Sequence, residues 1–176
     1  MDAYPFPTLP EYLAPGLTLV FVGINPSSYS VACGHYFARR TNRFWPAFSR
    51  SRLSEAIRAA LGRPVLGPED DATLVRFGIG FTDVVKVPSR NAAALGPADF
   101  AEWAPQLRDR LARAQPAVAC FHGVTGYRAF LRCALGERAP AVALGPQPQW
   151  VGATQLCVVP NPSPAKAHFR LEDQVA

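Results

Sequence analysis

The stretch Leu17-Thr18-Leu19-Val20-Phe21-Val22-Gly23-Ile24 runs without a charge into Asn25-Pro26-Ser27-Ser28. Its first eight residues are nearly all apolar, several of them β-branched. An apolar run of that length, closed by a turn, predicts a strand buried on both faces. Such strands belong to parallel sheets, whose two faces are covered by helices. The Asn-Pro pair ends the strand, because proline has no N–H to donate and holds the preceding residue extended.

Working outward, Ala117-Val118-Ala119-Cys120-Phe121 and Gln155-Leu156-Cys157-Val158-Val159 repeat the pattern of a short buried strand. Phe81-Thr82-Asp83-Val84-Val85 reads as a further strand, and 141–144 as an edge strand. Helical patterns fill the intervals at 44–61, 72–77, 98–114 and 125–135. In the first of them Leu53, Ile57 and Leu61 recur every four residues. Residues 34–43 and 89–97 lack a period and read as loops. Residues 1–16 are Pro-rich and read as an irregular arm wrapping the domain. Strands alternating with helices predict an α/β fold, a three-layer sandwich with a central, mainly parallel sheet, spanning 1–176 as one domain.

The composition agrees. A hydrophobic fraction of 49% against 18% charged residues is enough apolar material for a real core, which excludes a disordered chain. No apolar run reaches the roughly 20 residues of a membrane span. The N-terminus lacks the basic-then-apolar pattern of a secretory signal, so a cytoplasmic, nucleoid-associated location is expected. Cys33, Cys120, Cys133 and Cys157 form no C-x-x-C pair, and no metal site is expected. The net charge is +5, with Lys86 and Lys166 the only lysines among many arginines. Arginine forks suit phosphate, and a basic balance favours a polyanionic partner. A compositional bias of the genome would explain the same arginines.

In open α/β sheets, ligands bind beyond the carboxyl ends of the strands. Three strands end in conspicuous loops, at Asn25, at His122 and at Asn161, and these loops are expected to converge on one cleft. Gly23 allows close approach of backbone to a ligand. Asn25, held extended by Pro26, presents an amide with donors and an acceptor. An Asn-Pro turn serves plain chain reversal equally well. Asn161-Pro162-Ser163-Pro164 repeats the device at the end of another strand, with Lys166 beside it.

In order and spacing, five segments resemble the mismatch-specific uracil-DNA glycosylase and thymine-DNA glycosylase family, within the uracil-DNA glycosylase superfamily. They are GINPSS at 23–28, GHYFARRTNRFW at 34–45, GIGFTDVV at 78–85, QPAVACFHG at 115–123 and VVPNPSPAKAHF at 158–169. The resemblance covers roughly residues 17–170. It implies hydrolysis of the N-glycosidic bond of uracil in mismatched DNA after base flipping, without a cofactor. The partner implied is double-stranded DNA carrying G·U or G·T, with single strands a further option and the chain acting as a monomer. Asn25 then orients the attacking water and Phe37 stacks on the flipped base. Gly23, Ile24, Ser30, Phe37 and Asn42 form the base pocket, with backbone groups around Ile24 and Phe37 pairing with the base edge. Asn161, Ser163, Pro164, Ala165, Lys166 and Ala167 lie at the minor groove.

Three departures stand out. Ser27 replaces the family's usual glycine and brings a hydroxyl near the base or the attacking water. The segment Pro164-Ala165-Lys166-Ala167 lacks the family's bulky wedge. Asp83 stands where relatives carry Asn or Lys. A carboxylate there can act as general base or stabilise an oxocarbenium-like sugar, or it can cap a turn or pair with Arg90 or Lys86. His122 is read as structural, and Arg39, Arg40 and Arg43 as backbone contacts or a solvated loop. Two other readings remain open: a damaged-DNA binder without chemistry, and a hydrolase of small nucleosides or nucleotides. A branch acting on hypoxanthine or xanthine is a weaker third.

Overall fold

A computed structural model describes residues 4–138 and 141–163 of the chain. Among the described residues five strands form one sheet: β1 (Leu19–Gly23), β2 (Ile79–Asp83), β3 (Val118–His122), β4 (Gly145–Val151) and β5 (Thr154–Val159). Their order across the sheet is β2-β1-β3-β5-β4. The first four are mutually parallel where they pair, and β4 runs antiparallel to β5. The helices are α1 (Ser28–Cys33), α2 (Phe44–Arg50), α3 (Glu55–Leu61), α4 (Asp71–Leu74), α5 (Pro97–Ala114) and α6 (Val124–Phe130).

Side-chain alternation along β1 divides the core in two. Val20 and Val22 pack with Trp103, Leu107 and Leu111 of α5 and Tyr127 and Phe130 of α6. Phe21 points the other way and packs with Phe44, Trp45 and Phe48 of α2, Ile57 of α3, Leu74 of α4 and Phe81. Helices thus cover both faces, and the three-layer sandwich is as expected. No helix among the described residues is long and apolar enough to cross a membrane.

The arm seals the edge of the sheet. The N–H of Tyr12 donates to the carbonyl of Phe81 (3.0 Å), and the N–H of Phe81 donates back (3.1 Å). A strand edge left bare would invite pairing with another chain. Gly80 is required there, since a Cβ on it would overlap the carbonyl oxygen of Tyr12.

Four elements differ from the reading of the sequence. The second strand is Ile79–Asp83, two residues earlier than expected, because it stays in register with β1 from Leu19↔Ile79 to Gly23↔Asp83. The helical stretch at 44–61 breaks at Ser51, and Leu53 is exposed rather than facing the core. The edge strand is Gly145–Val151, not 141–144; its Pro146 and Pro148 are tolerated because an edge strand has one unpaired side. Lastly, α1 has no counterpart in the sequence reading, which assigns no element between the Asn-Pro turn and the loop at 34–43. Its signals are Ser27 at the N-cap and Gly34, in the left-handed region, at the C-cap.

Candidate active site

The strand order places a crevice between β1 and β3. The chain leaving β1 passes to α2, α3 and α4 on one face, whereas the chain leaving β3 enters α6 on the other. Diverging connections open a gap at the carboxyl ends of the two strands. Asn25 and His122 flank that gap. A Cβ on Gly126 of α6 would lie 3.2 Å from Ile24 Cγ1, and one on Gly123 3.1 Å from Asn161 Cβ. Arg43 N–H donates to the Pro162 carbonyl (3.0 Å). The three strand-end loops therefore converge, as the sequence predicts.

Asn25 is clamped by its nitrogen. Nδ2 donates to the Val87 carbonyl (2.9 Å) and to Ser89 Oγ (2.8 Å), with a longer contact to the Pro26 carbonyl (3.3 Å). The 87–89 segment is itself fixed, since Ser89 N–H donates to Pro26 O and Ser28 N–H to Ser89 O. Among the described residues Oδ1 has no protein donor, so it is an oriented acceptor for a water proton. Ser89 and Val87 were not singled out in the sequence, because a clamp 64 residues away leaves no local signal. The Ser27 hydroxyl is engaged at the start of α1. Its Oγ accepts from the N–H of Ser30 and bonds Ser30 Oγ (both 3.0 Å), which caps α1 and buries Ser30.

The loop at 34–43 is pinned at its root and strained at its tip. Asp71, fully buried, accepts from Tyr36 N–H (2.9 Å) and contacts His35 Nδ1 (3.2 Å). Trp45 Nε1 donates to the Tyr36 carbonyl (2.9 Å). Asn42 Oδ1 accepts from Phe44 N–H (2.9 Å) and so shapes the loop's exit. Between these anchors Phe37 sits at φ +54°, a left-handed conformation costing about 1–2 kcal/mol in a residue with a Cβ. Its ring stacks on Phe44 (centroids 4.4 Å apart) and meets His122 edge-on (5.1 Å). The N–H and carbonyl of Phe37 have no hydrogen-bond partner among the described residues.

His122, at the end of β3, is boxed by Phe21, Phe37 and Phe44. Nδ1 lies 3.3 Å from the Pro160 carbonyl, which can only accept, so Nδ1 carries the proton. Burial lowers the ring's pKa to about 4 and keeps it neutral. Nε2 is therefore an acceptor, and it is buried without a partner. Such an orphan costs about 1–3 kcal/mol unless something meets it.

Asp83 ends β2 directly opposite Gly23 and is buried. Of its two anticipated partners the structure supplies Lys86, at 3.8 Å from Oδ2. Lys86 is fully buried and also meets Glu11 Oε1 (3.3 Å) and Tyr36 Oη (3.3 Å). Arg110 adds a second cation, at 3.4 Å from Glu11 Oε1 and 3.0 Å from the Asp83 carbonyl. Burial pushes the Asp83 carboxyl up to about 7, against the opposing pull of Lys86.

Asn161 closes the site. Its Oδ1 accepts from Ser163 N–H (2.9 Å) in a tight Asx turn. Pro164, Ala165, Lys166 and Ala167 lie outside the described residues. On the outer rim Arg39 packs over the Tyr29 ring (5.6 Å). Ser28, Tyr29, Arg39, Arg90 and Asn91 line a polar cleft of about 520 Å³. A family model, that of the uracil DNA glycosylase superfamily, matches residues 10–175. The match covers nearly the whole chain, and the chain belongs to the uracil DNA glycosylase superfamily.

Proposed function

We propose that the protein is a mismatch-specific uracil-DNA glycosylase, acting as a monomer on duplexes carrying G·U or G·T. The superfamily supports glycosylase chemistry on DNA. The clamped amide of Asn25 carries the assignment within this chain. Oδ1 accepts a hydrogen bond from a water and leaves the water's lone pair directed at C1′ of the deoxyribose. The C1′–N1 bond breaks, the base departs as an anion, and the water oxygen bonds C1′ to leave an abasic site. Phe37 stacks on the flipped base while Ile24 and Phe37 offer backbone groups to its edge. Flipping is cheapest at a mismatch, which supplies the preference.

Asp83 acts on this reaction through charge. Its carboxylate, held near Gly23, favours the cationic sugar of the transition state and can take the proton the water sheds. With a pKa of about 7 it gains its charge across the neutral range. Asp83→Asn then removes the alkaline rise in rate.

The deciding assay is base release from labelled duplexes with G·U, A·U, G·T and G·hypoxanthine, beside single-stranded uracil. Release from G·U well ahead of A·U supports the assignment. Equal release from both removes mismatch specificity, and release from none removes catalysis and leaves a damage-binding protein.

A further inference from the structure

We propose that His122 is a specificity-determining residue, whose Nε2 accepts a hydrogen bond from the ring N–H of the flipped base. The inference rests on the glycosylase reading and adds a reader to it. Three observations carry it. The imidazole is more than nine-tenths buried, and Nε2 has no partner among the described residues. The Pro160 carbonyl holds the proton on Nδ1, so the free nitrogen is an acceptor and not a donor. The ring stands edge-on to Phe37, the residue assigned to stack on the base, at the crevice between β1 and β3.

The chemistry then selects. A uracil or thymine joined to the sugar through N1 has one ring N–H, at N3, and it is a donor. Cytosine has a bare ring nitrogen there, so two acceptors would face each other. A site built to receive a donor rejects analogues that lack it, because its own buried group is left unpaired. The neutral, apolar box of Phe21, Phe37 and Phe44 sharpens this. A low-dielectric setting raises the value of a matched hydrogen bond and the penalty of a mismatched one.

The strained Phe37 backbone and the orphaned Nε2 belong to residues whose rings touch, at 5.1 Å between centroids. Phe37 takes the face of the base and offers its N–H and carbonyl to one part of the edge. His122 takes the ring N–H. A hydroxyl could not replace it with the same stringency, because a hydroxyl donates as readily as it accepts.

The test is spectroscopic and kinetic. The protein, with 15N-labelled histidine, is bound to a duplex carrying 2′-fluoro-deoxyuridine opposite G, which resists hydrolysis, and separately to an undamaged duplex. An upfield shift of the His122 Nε2 resonance with the first alone is expected. Equal Nε2 shifts with both overturn the proposal, whether or not uracil is released. In parallel, His122→Leu loses about tenfold or more in kcat/KM for uracil, and the ratio of uracil to 3-methyluracil release narrows. His122→Asn, which restores an acceptor, recovers the ratio. An unchanged ratio in a folded His122→Leu also overturns it. Failure of the wild-type protein to release uracil from any duplex is a separate outcome, which removes the glycosylase reading and this inference with it.

Discussion

The Oδ1 atom of Asp83 stands where a Cβ on Gly23 would be built. The two residues are partners across the β1–β2 pairing, and the Asp83 carboxylate is buried beside Lys86, so a Cβ on Gly23 forces that side chain out of its place. The glycine before the Asn25 loop is therefore required by a carboxylate on the neighbouring strand. Gly23→Ala should lower stability by about 1–3 kcal/mol, the usual cost of forcing an extra carbon into a packed site. Asp83→Ala removes the obstructing oxygen, so the double variant should recover at least half of the Gly23→Ala loss. Urea unfolding of the two single variants and the double measures the coupling. Strict additivity would show that the clash is not the cause.

Asn25 and Ser89 should separate chemistry from binding. Asn25→Ala removes the oriented acceptor and should slow uracil release roughly 10²- to 10³-fold, as loss of one preorganised polar group does elsewhere. Ser89→Ala removes one of two strong anchors on Nδ2 and leaves the Val87 carbonyl. A loss of about tenfold in kcat is expected, with duplex affinity unchanged. Single-turnover release and fluorescence anisotropy on one duplex read the two quantities. If Ser89→Ala weakens binding while the bound-state rate holds, the clamp does not orient the water.

The fold was legible in the sequence wherever a residue's environment is set locally. Leu19–Gly23 reads as a buried strand because every side chain there is buried or nearly so, whichever neighbour supplies the cover. The end of β2 was not legible in the same way. Val84 and Val85 are as apolar as a strand requires, but their N–H groups serve the Gly23 and Ile24 carbonyls beyond the last paired residues. Asn25 and Phe37 were visible as candidates through motif order. The Ser89 clamp, the Asp71 pin under Tyr36 and the Glu11 contact to Lys86 were not, since each joins residues 35 to 75 positions apart with no periodic trace. His122 read as structural because its missing partner is a property of the packing and not of the chain.

Two buried groups should leave opposite marks on stability. Asp83 is raised from its ordinary 3.8 to about 7. Between those values the folded state holds a proton that the unfolded state has lost. Its contribution is complete below 3.8 and is lost as pH rises towards 7. His122 is lowered from 6.5 to about 4. Between those values the unfolded state binds the extra proton, so stability rises with pH and is complete above 6.5. Each slope is about 1.4 kcal/mol per pH unit, and over pH 4.5 to 6 they oppose each other. Relative to the wild type, Asp83→Asn should gain stability as pH rises through that window, and His122→Asn should lose it. Urea midpoints at pH 4.5, 5.25 and 6 decide; profiles parallel to the wild type would contradict both assignments.

Lys86 should be the most costly single charge to remove. It is fully buried and faces Glu11 at 3.3 Å and Asp83 at 3.8 Å, with the Tyr36 hydroxyl at 3.3 Å. Lys86→Met keeps the length of the chain but leaves two carboxyl groups sharing Arg110 alone. Breaking a buried ion pair from one side costs about 3–5 kcal/mol, because the partner stays buried and uncompensated. Loss of the cation that opposes its rise should also carry the Asp83 pKa above 7, so the pH at which uracil release reaches its plateau moves alkaline. Adding Asp83→Asn to Lys86→Met removes one stranded carboxylate, and the double variant should be more stable than Lys86→Met alone. The same double variant should show no alkaline limb. A Lys86→Met protein that unfolds at the wild-type urea midpoint, with its pH–rate profile unmoved, would show that the cluster neither holds the arm against β2 nor tunes the carboxylate beside Gly23.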